Sequence, residues 1–238
     1  MGRAFEFRRA RKEKRWNQMA KTFSKYGKEI AIAVKQGGPE PETNPRLRVV
    51  IQNAKGDNMP KDRIEAAIKR ASSKDEKDFE EIVYEGYGPY GVGIVVETAT
   101  DNPNRTVANI RLIFDKAGGS IGKSGSLEFI FERKGIFTLN PENVNMEDLE
   151  LELIDFGAEE INQDEEHIYI ETSFADFGAM QKALEERGLN VISSELQRIP
   201  NTMVDLSGAQ AEEINSLIEK LEEDDDVQTV FHNMREPE

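Results

Sequence analysis

Apolar residues in this sequence follow two different spacings, and the change between them falls near a seven-residue polar stretch, SSKDEKD, at residues 72–78. Up to Ala71 they recur at steps of three and four, whereas from residue 92 onward β-branched or alternating runs stand between further helical stretches. One kind of layer cannot satisfy both periods. The expectation is therefore an α+β protein in which a helical domain precedes sheet-containing domains.

The helical part reads clearly. Trp16, Met19, Phe23, Tyr26, Ile30 and Ala33 form one apolar stripe, ended by Gly37, Gly38 and Pro39, with Lys14, Lys21, Lys25, Lys28 and Lys35 on the opposite side. Asn44 is a capping residue before Pro45 at a first helical position, and Leu47, Val50, Ile51 and Ala54 then repeat at helical spacing until Gly56. Pro60 can open a third helix with Ile64, Ala67, Ile68 and Ala71 inside and Lys61, Arg63, Lys69 and Arg70 outside. Residues 1–78, linker included, are expected to form a basic three-helix domain.

Beyond the linker, VGIVVETAT at 92–100 predicts a strand. A helix follows, with Val107, Ile110, Phe114 and Ala117 inside, and Leu127, Phe129 and Phe131 alternate as in a strand packed on one side. Leu149, Leu151, Leu153 and Ile154 suggest another helix, residues 167–172 a strand, 174–188 a helix and 190–199 a strand. Ser207 can cap a last helix carrying Ile214, Leu217, Ile218 and Leu221, and residues 227–231 form a short strand. That final α–β piece is too small to bury a core alone, so it should dock on an earlier sheet. The expected boundaries are 79–134 with 201–238 for a middle α/β domain and 135–200 for an inserted one.

Charge follows the same division. Residues 1–74 carry 19 Lys+Arg against 8 Asp+Glu, leaving 12 basic and 38 acidic residues for the rest of a chain whose net charge is −15. A basic module ahead of an acidic body points to a polyanionic partner, nucleic acid first. The lack of cysteine removes disulfides, thiolate zinc sites and cysteine nucleophiles, and two histidines are too few for a histidine metal cluster. With no apolar run near the length of a membrane span, the expectation is a cytoplasmic protein with no membrane contact.

Several short motifs are weaker than they look. Gly86, Gly88 and Gly91 match a dinucleotide fingerprint, but a strand follows where the phosphate would need a helix N-terminus. Asp155-Phe156-Gly157 and Asp176-Phe177-Gly178 repeat a magnesium-binding triplet without the other kinase signatures. Lys123, Ser124 and Ser126 in a glycine-rich loop are a candidate phosphate or partner loop, because such amides can cradle an anion. The five carboxylates at 222–226 read as a solvated run, or as a screen for the basic domain. No catalytic residue, metal or small-molecule cofactor is expected.

The dense cluster Arg8, Arg9, Arg11, Lys12, Lys14 and Arg15 adds to the helical lysines. Together with Lys21, Lys25, Lys28, Lys35, Arg46, Arg48, Lys61, Arg63, Lys69 and Arg70 it makes the candidate nucleic-acid-binding set. Abundant lysine with few exposed amides favours phosphate contacts over base reading, and neutralising about five phosphates gives a log–log salt slope near −4.5 on duplex DNA.

Residues 37–71, 84–106 (YEGYGPYGVGIVVETATDNPNRT), 117–135 (AGGSIGKSGSLEFIFERKG) and 221–234 (LEEDDDVQTVFHNM), read together, resemble the YebC family of bacterial regulators, whose mitochondrial relative is a translational activator of cytochrome c oxidase. The resemblance implies an N-terminal helical domain and two sandwich-like (ferredoxin-like) α/β domains, the middle one interrupted by the third and completed by the C-terminus. It also implies regulation of gene expression through nucleic acid without catalysis. The start departs from the family pattern, with RAFEFRRARKEKRW at 3–16 where a short H-S-K-W segment is common, and Tyr90 stands where glycine is common. The family suggests a DNA-binding transcriptional regulator or a ribosome-associated translation factor that relieves stalling at proline-rich stretches. Both duplex DNA and ribosomal RNA present the same phosphates, so the residues leave that choice open. An acidic protein–protein adaptor, whose basic arm meets only its own body, is the remaining alternative.

Overall fold

A computed structural model of the 238-residue chain describes residues 19–73, 78–142 and 144–235. Three helices come first: α1 (Met19–Gly37), α2 (Pro45–Gly56) and α3 (Lys61–Ala71). Their apolar stripes meet as the spacing predicts, with Tyr26, Ile30, Ala33, Leu47, Val50, Ala54, Ile64 and Ala67 buried in one cluster. Trp16, the first residue of the predicted stripe, lies outside the described residues.

Asn44 organises this bundle. Its Oδ1 accepts from the Leu47 amide at 3.0 Å, capping α2, while its Nδ2 donates to the carbonyls of Ala33 and Gly38, both at 2.8 Å. One buried amide thus starts α2 and ties it to carbonyls at and just beyond the end of α1.

The first sheet is antiparallel in the order β3-β1-β2-β8, built from β1 (Glu80–Tyr87), β2 (Gly93–Thr100), β3 (Ser120–Ile121) and β8 (Val227–His232). Helices α4 (Pro103–Lys116) and α7 (Gly208–Glu223) cover one face, where Ile94, Val96, Ile110, Phe114, Ile214, Leu217, Leu221 and Val230 form the core. The late α7–β8 piece docks on β2, as its small size requires. Ser207 starts α7 with a capping box, its partner being Gln210.

The second sheet has the order β5-β6-β4-β7, from β4 (Phe131–Leu139), β5 (Ala158–Gln163), β6 (Ile168–Ser173) and β7 (Val191–Pro200). Helices α5 (Met146–Leu153) and α6 (Phe177–Glu186) pack on it around Phe137, Leu139, Ile168, Ile170, Met180 and Leu184. The chain enters this domain through β4 and leaves through β7, which pair side by side with Phe131 opposite Pro200. The Asn201 amide then donates to the Ile130 carbonyl at 2.7 Å, closing the neck of the insertion.

The alternation of Leu127, Phe129 and Phe131 does not make a strand. Residues 124–130 are turns and β4 starts at Phe131. Leu127, Ile130 and Phe131 are buried whereas Phe129 is 72% exposed, a spacing of three and four that suits a coiled turn. Strands β1 and β5 were not anticipated from the residues.

Candidate nucleic-acid interface

The polar side of α1 does not face solvent along its whole length. Lys21 Nζ donates to the Glu223 carbonyl at 3.3 Å and Lys25 Nζ to the Gln228 carbonyl at 2.9 Å. Lys28 goes deepest: its ammonium reaches the carbonyls of Ala99 and Asp225 at 3.0 and 2.6 Å and Asp226 Oδ1 at 2.9 Å. These three lysines, expected on the nucleic-acid face, have acceptors at the end of α7, in the turn after it, and on β2 and β8. Of these carbonyls, that of Glu223 ends α7, where cations are favoured.

Asp226 is the centre of this contact. Its side chain is 6% exposed, and Oδ2 lies 2.6 Å from Arg105 Nη2, 2.8 Å from the Thr106 hydroxyl and 3.1 Å from that of Thr100. Burial alone raises its pKa, but the hydrogen bonds from Arg105, Lys28 and Thr106 outweigh that and hold it at about 2. So the run at 222–226 is not uniformly solvated. Glu223 and Asp225 are exposed, while Asp226 is buried and paired.

The other candidates divide into those with acceptors nearby and those without. Lys35 pairs with Asp78 at 3.1 Å, and Arg46 binds Gln36 and Glu81. Arg48 donates to the carbonyls of Pro41 and Glu42 and lies 3.6 Å from Glu185. Arg63 lies over the Phe23 ring. On α3, Lys61 makes an exposed pair with Glu65 at 3.6 Å, which contributes little in water. Lys69 and Arg70 are exposed with no carboxylate in ion-pair range among the described residues. Lys55, at the end of α2, is exposed in the same way and was missed because it ends a stripe instead of repeating on one. Arg8, Arg9, Arg11, Lys12, Lys14 and Arg15 lie outside the described residues.

The glycine-rich loop does form an anion cradle, but the anion is its own. The Glu85 carboxylate accepts from the Gly125 and Leu127 amides at 2.9 and 2.7 Å, with the Ser126 hydroxyl at 3.4 Å. In the loop expected to meet a phosphate or a partner, an internal carboxylate thus already occupies the Gly125 and Leu127 amides and the Ser126 hydroxyl. Lys123 and Ser124 remain exposed. The Gly86–Gly91 fingerprint joins β1 to β2 through a single tight turn, with the Gly88 amide donating to the Val92 carbonyl at 2.8 Å. Tyr90 sits there at φ 62°, a left-handed backbone that glycine adopts more readily.

A second contact joins the helical domain to the inserted one. Gln52 Nε2 donates to the Val191 carbonyl at 2.7 Å, and Asn53 exchanges two hydrogen bonds with the Ser194 backbone, both at 2.8 Å. Gly56 comes so close to β7 that a Cβ there would sit 2.4 Å from the Ile192 carbonyl oxygen. Among the described residues, no helix is long and apolar enough to cross a membrane.

Comparison with known proteins matches this three-part organisation. Residues 3–74 match the model described as TACO1/YebC protein N-terminal domain, and residues 79–234 the model of the TACO1/YebC second and third domain. A "Probable transcriptional regulatory protein" of Parabacteroides distasonis is 60% identical over 237 residues, covering 99% of this chain and 98% of that one. Another of the same name from Cytophaga hutchinsonii is 60% identical over 238 residues and the whole of both chains. Among solved structures, a conserved hypothetical protein of Aquifex aeolicus superposes with a TM-score of 0.78 at 39% identity, covering 93% of this chain and 92% of that one. With both models matched in order along almost the whole length, the chain belongs to the YebC family.

Proposed function

We propose that this protein is a non-enzymatic, cytoplasmic regulator of gene expression that binds nucleic acid, duplex DNA in the first instance, through the outward face of α3 and the adjoining end of α2. The observation that carries the reading is the contrast within the helical domain. The α1 lysines have acceptors on the protein itself, whereas Lys55, Lys69 and Arg70 present their charge to solvent with no carboxylate in range among the described residues, and Lys61 has only an exposed pair with Glu65. Cations without internal partners neutralise phosphates without first losing a salt bridge. The names of the Parabacteroides and Cytophaga relatives support the regulatory part of the reading.

The test is binding of the full chain to labelled duplex DNA and to ribosomes across a salt series. Changing Lys61, Lys69 and Arg70 together to Glu should weaken binding at least tenfold, and should flatten the salt slope on DNA by about 2.7, or 0.9 per lost phosphate contact. Unchanged binding would sink this face. Loss on ribosomes alone would favour a translation factor acting on ribosomal RNA, since the same ammonium groups suit both polyanions. Wild-type chain that binds neither would restore the adaptor reading, which the docking of Lys21, Lys25 and Lys28 on the protein's own body favours.

A further inference from the structure

The inserted domain contains a cationic group with no ion pair among the described residues. Arg133 on β4 is directly opposite Arg198 on β7, so two guanidinium groups project from the same face of the sheet at neighbouring positions. Like charges placed in this way repel. Arg198 is relieved by Glu97 of the first sheet, whose Oε1 accepts from its Nε at 3.0 Å. Arg133 is not. Its guanidinium carbon lies 3.8 Å from the centre of the Phe174 ring, and among the described residues no carboxylate or other acceptor meets its N–H groups. Burial first, and then Arg198, lower its pKa, while Glu97 acts in the opposite direction.

Phe174 completes the arrangement. Lys134 pairs with Ser173 across β4 and β6, so the next residue, Phe174, falls beside Arg133 on the face that carries Arg198. The ring is 46% exposed, so the stack of ring and guanidinium is open to solvent at its edge. The ring holds the fork's plane while leaving its N–H edge free, and a planar fork with free edges suits the paired oxygens of a phosphate. Two guanidiniums against one carboxylate leave this spot positive within a strongly acidic body.

We propose that Arg133, Phe174 and Arg198 form a second phosphate-binding point, which takes a backbone phosphate of the nucleic acid while the open edge of Phe174 lies against the adjoining sugar or base. This extends the nucleic-acid reading above and rests on it. The site lies on the sheet of the inserted domain, away from α3, so one strand held at both places would span two domains.

Two measurements on the full chain test it. In the first, the arginine Nε–H resonances are followed during titration with the dinucleotide pTpT. Arg133 and Arg198 should shift saturably, and Arg133→Ala should abolish the Arg198 shift. Absence of those shifts in the wild-type chain overturns the site, whatever longer DNA does. In the second, Arg133→Ala should weaken binding of a labelled duplex about tenfold and flatten its salt slope by about 0.9. Arg133→Lys should recover the slope without the full affinity, because an ammonium lacks the fork. If Arg133→Ala leaves duplex binding unchanged while the α3 variant loses it, the proposal falls and the nucleic-acid reading stands. If pTpT shifts the arginines while the wild-type chain binds no duplex, the anion site stands and the nucleic-acid reading falls.

Discussion

Helix α1 meets the first sheet domain through three ammonium groups, whereas α2 meets the second through two side-chain amides and a glycine. The difference separates two ways of fixing one domain on two others. The ionic contact depends on one buried carboxylate, Asp226, that must stay charged and fully partnered. The neutral contact depends on close approach, because Gly56 lets the α2 end reach the β7 backbone and Asn53 then completes it as a neighbouring strand would. Salt and acid should act on the first far more than on the second.

The strongest way to break the comparison is Asp226→Ala. It leaves Lys28 and Arg105 facing each other without their shared counter-charge, and a loss of about 3 kcal/mol in denaturant unfolding is expected. A loss no larger than that of an exposed pair would mean the ionic contact is incidental. Gly56→Ala comes next. The added Cβ would force α2 off β7 and cost about 2 kcal/mol, and amide exchange at Ser194 should accelerate while that at Ala99, whose amide donates to the Asp226 carbonyl, stays slow. Equal acceleration at both would show that the two contacts open as one unit. The mildest test is acid. Asp226 has a folded pKa of about 2 against an ordinary 3.8, so its contribution is fully present above the ordinary value and is lost as pH falls from there through about 2. Protection at Ala99 should fade across that window before protection at Ser194, and the reverse order would contradict the assignment.

Much of the frame was legible in the residues, and particular positions show why. The stripes of α1, α2 and α3 and the Asn44 cap follow local rules that tertiary context did not override. The α7–β8 piece announced its need for a sheet by being too small to stand alone. Residues 127–132 misled because Leu127, Phe129 and Phe131 alternate on paper, yet Ile130 is the residue that turns inward. The positive face of α1 was visible too, and the run at 222–226 was offered as a screen for the basic domain, but the particular acceptors of the α1 lysines were not. Lys21 and Lys25 meet backbone carbonyls, which any residue can supply, so no side chain in the sequence marks them as occupied. The pairing of Arg133 with Arg198 depends on strand register, 65 positions apart in the chain, which spacing alone does not reveal.

The interrupted first sheet also sets an order of assembly. Strands β1 and β2 leave the ribosome long before β8, and the inserted domain, whose two ends meet at Phe131 and Pro200, can close while its host is still short of a strand. Until β8 and the turn before it arrive, Lys28 has no Asp226 to meet, and α1 carries Lys21, Lys25 and Lys28 without their acceptors there. The basic helices of a nascent chain therefore show more of their charge than they keep once the turn before β8 is in place.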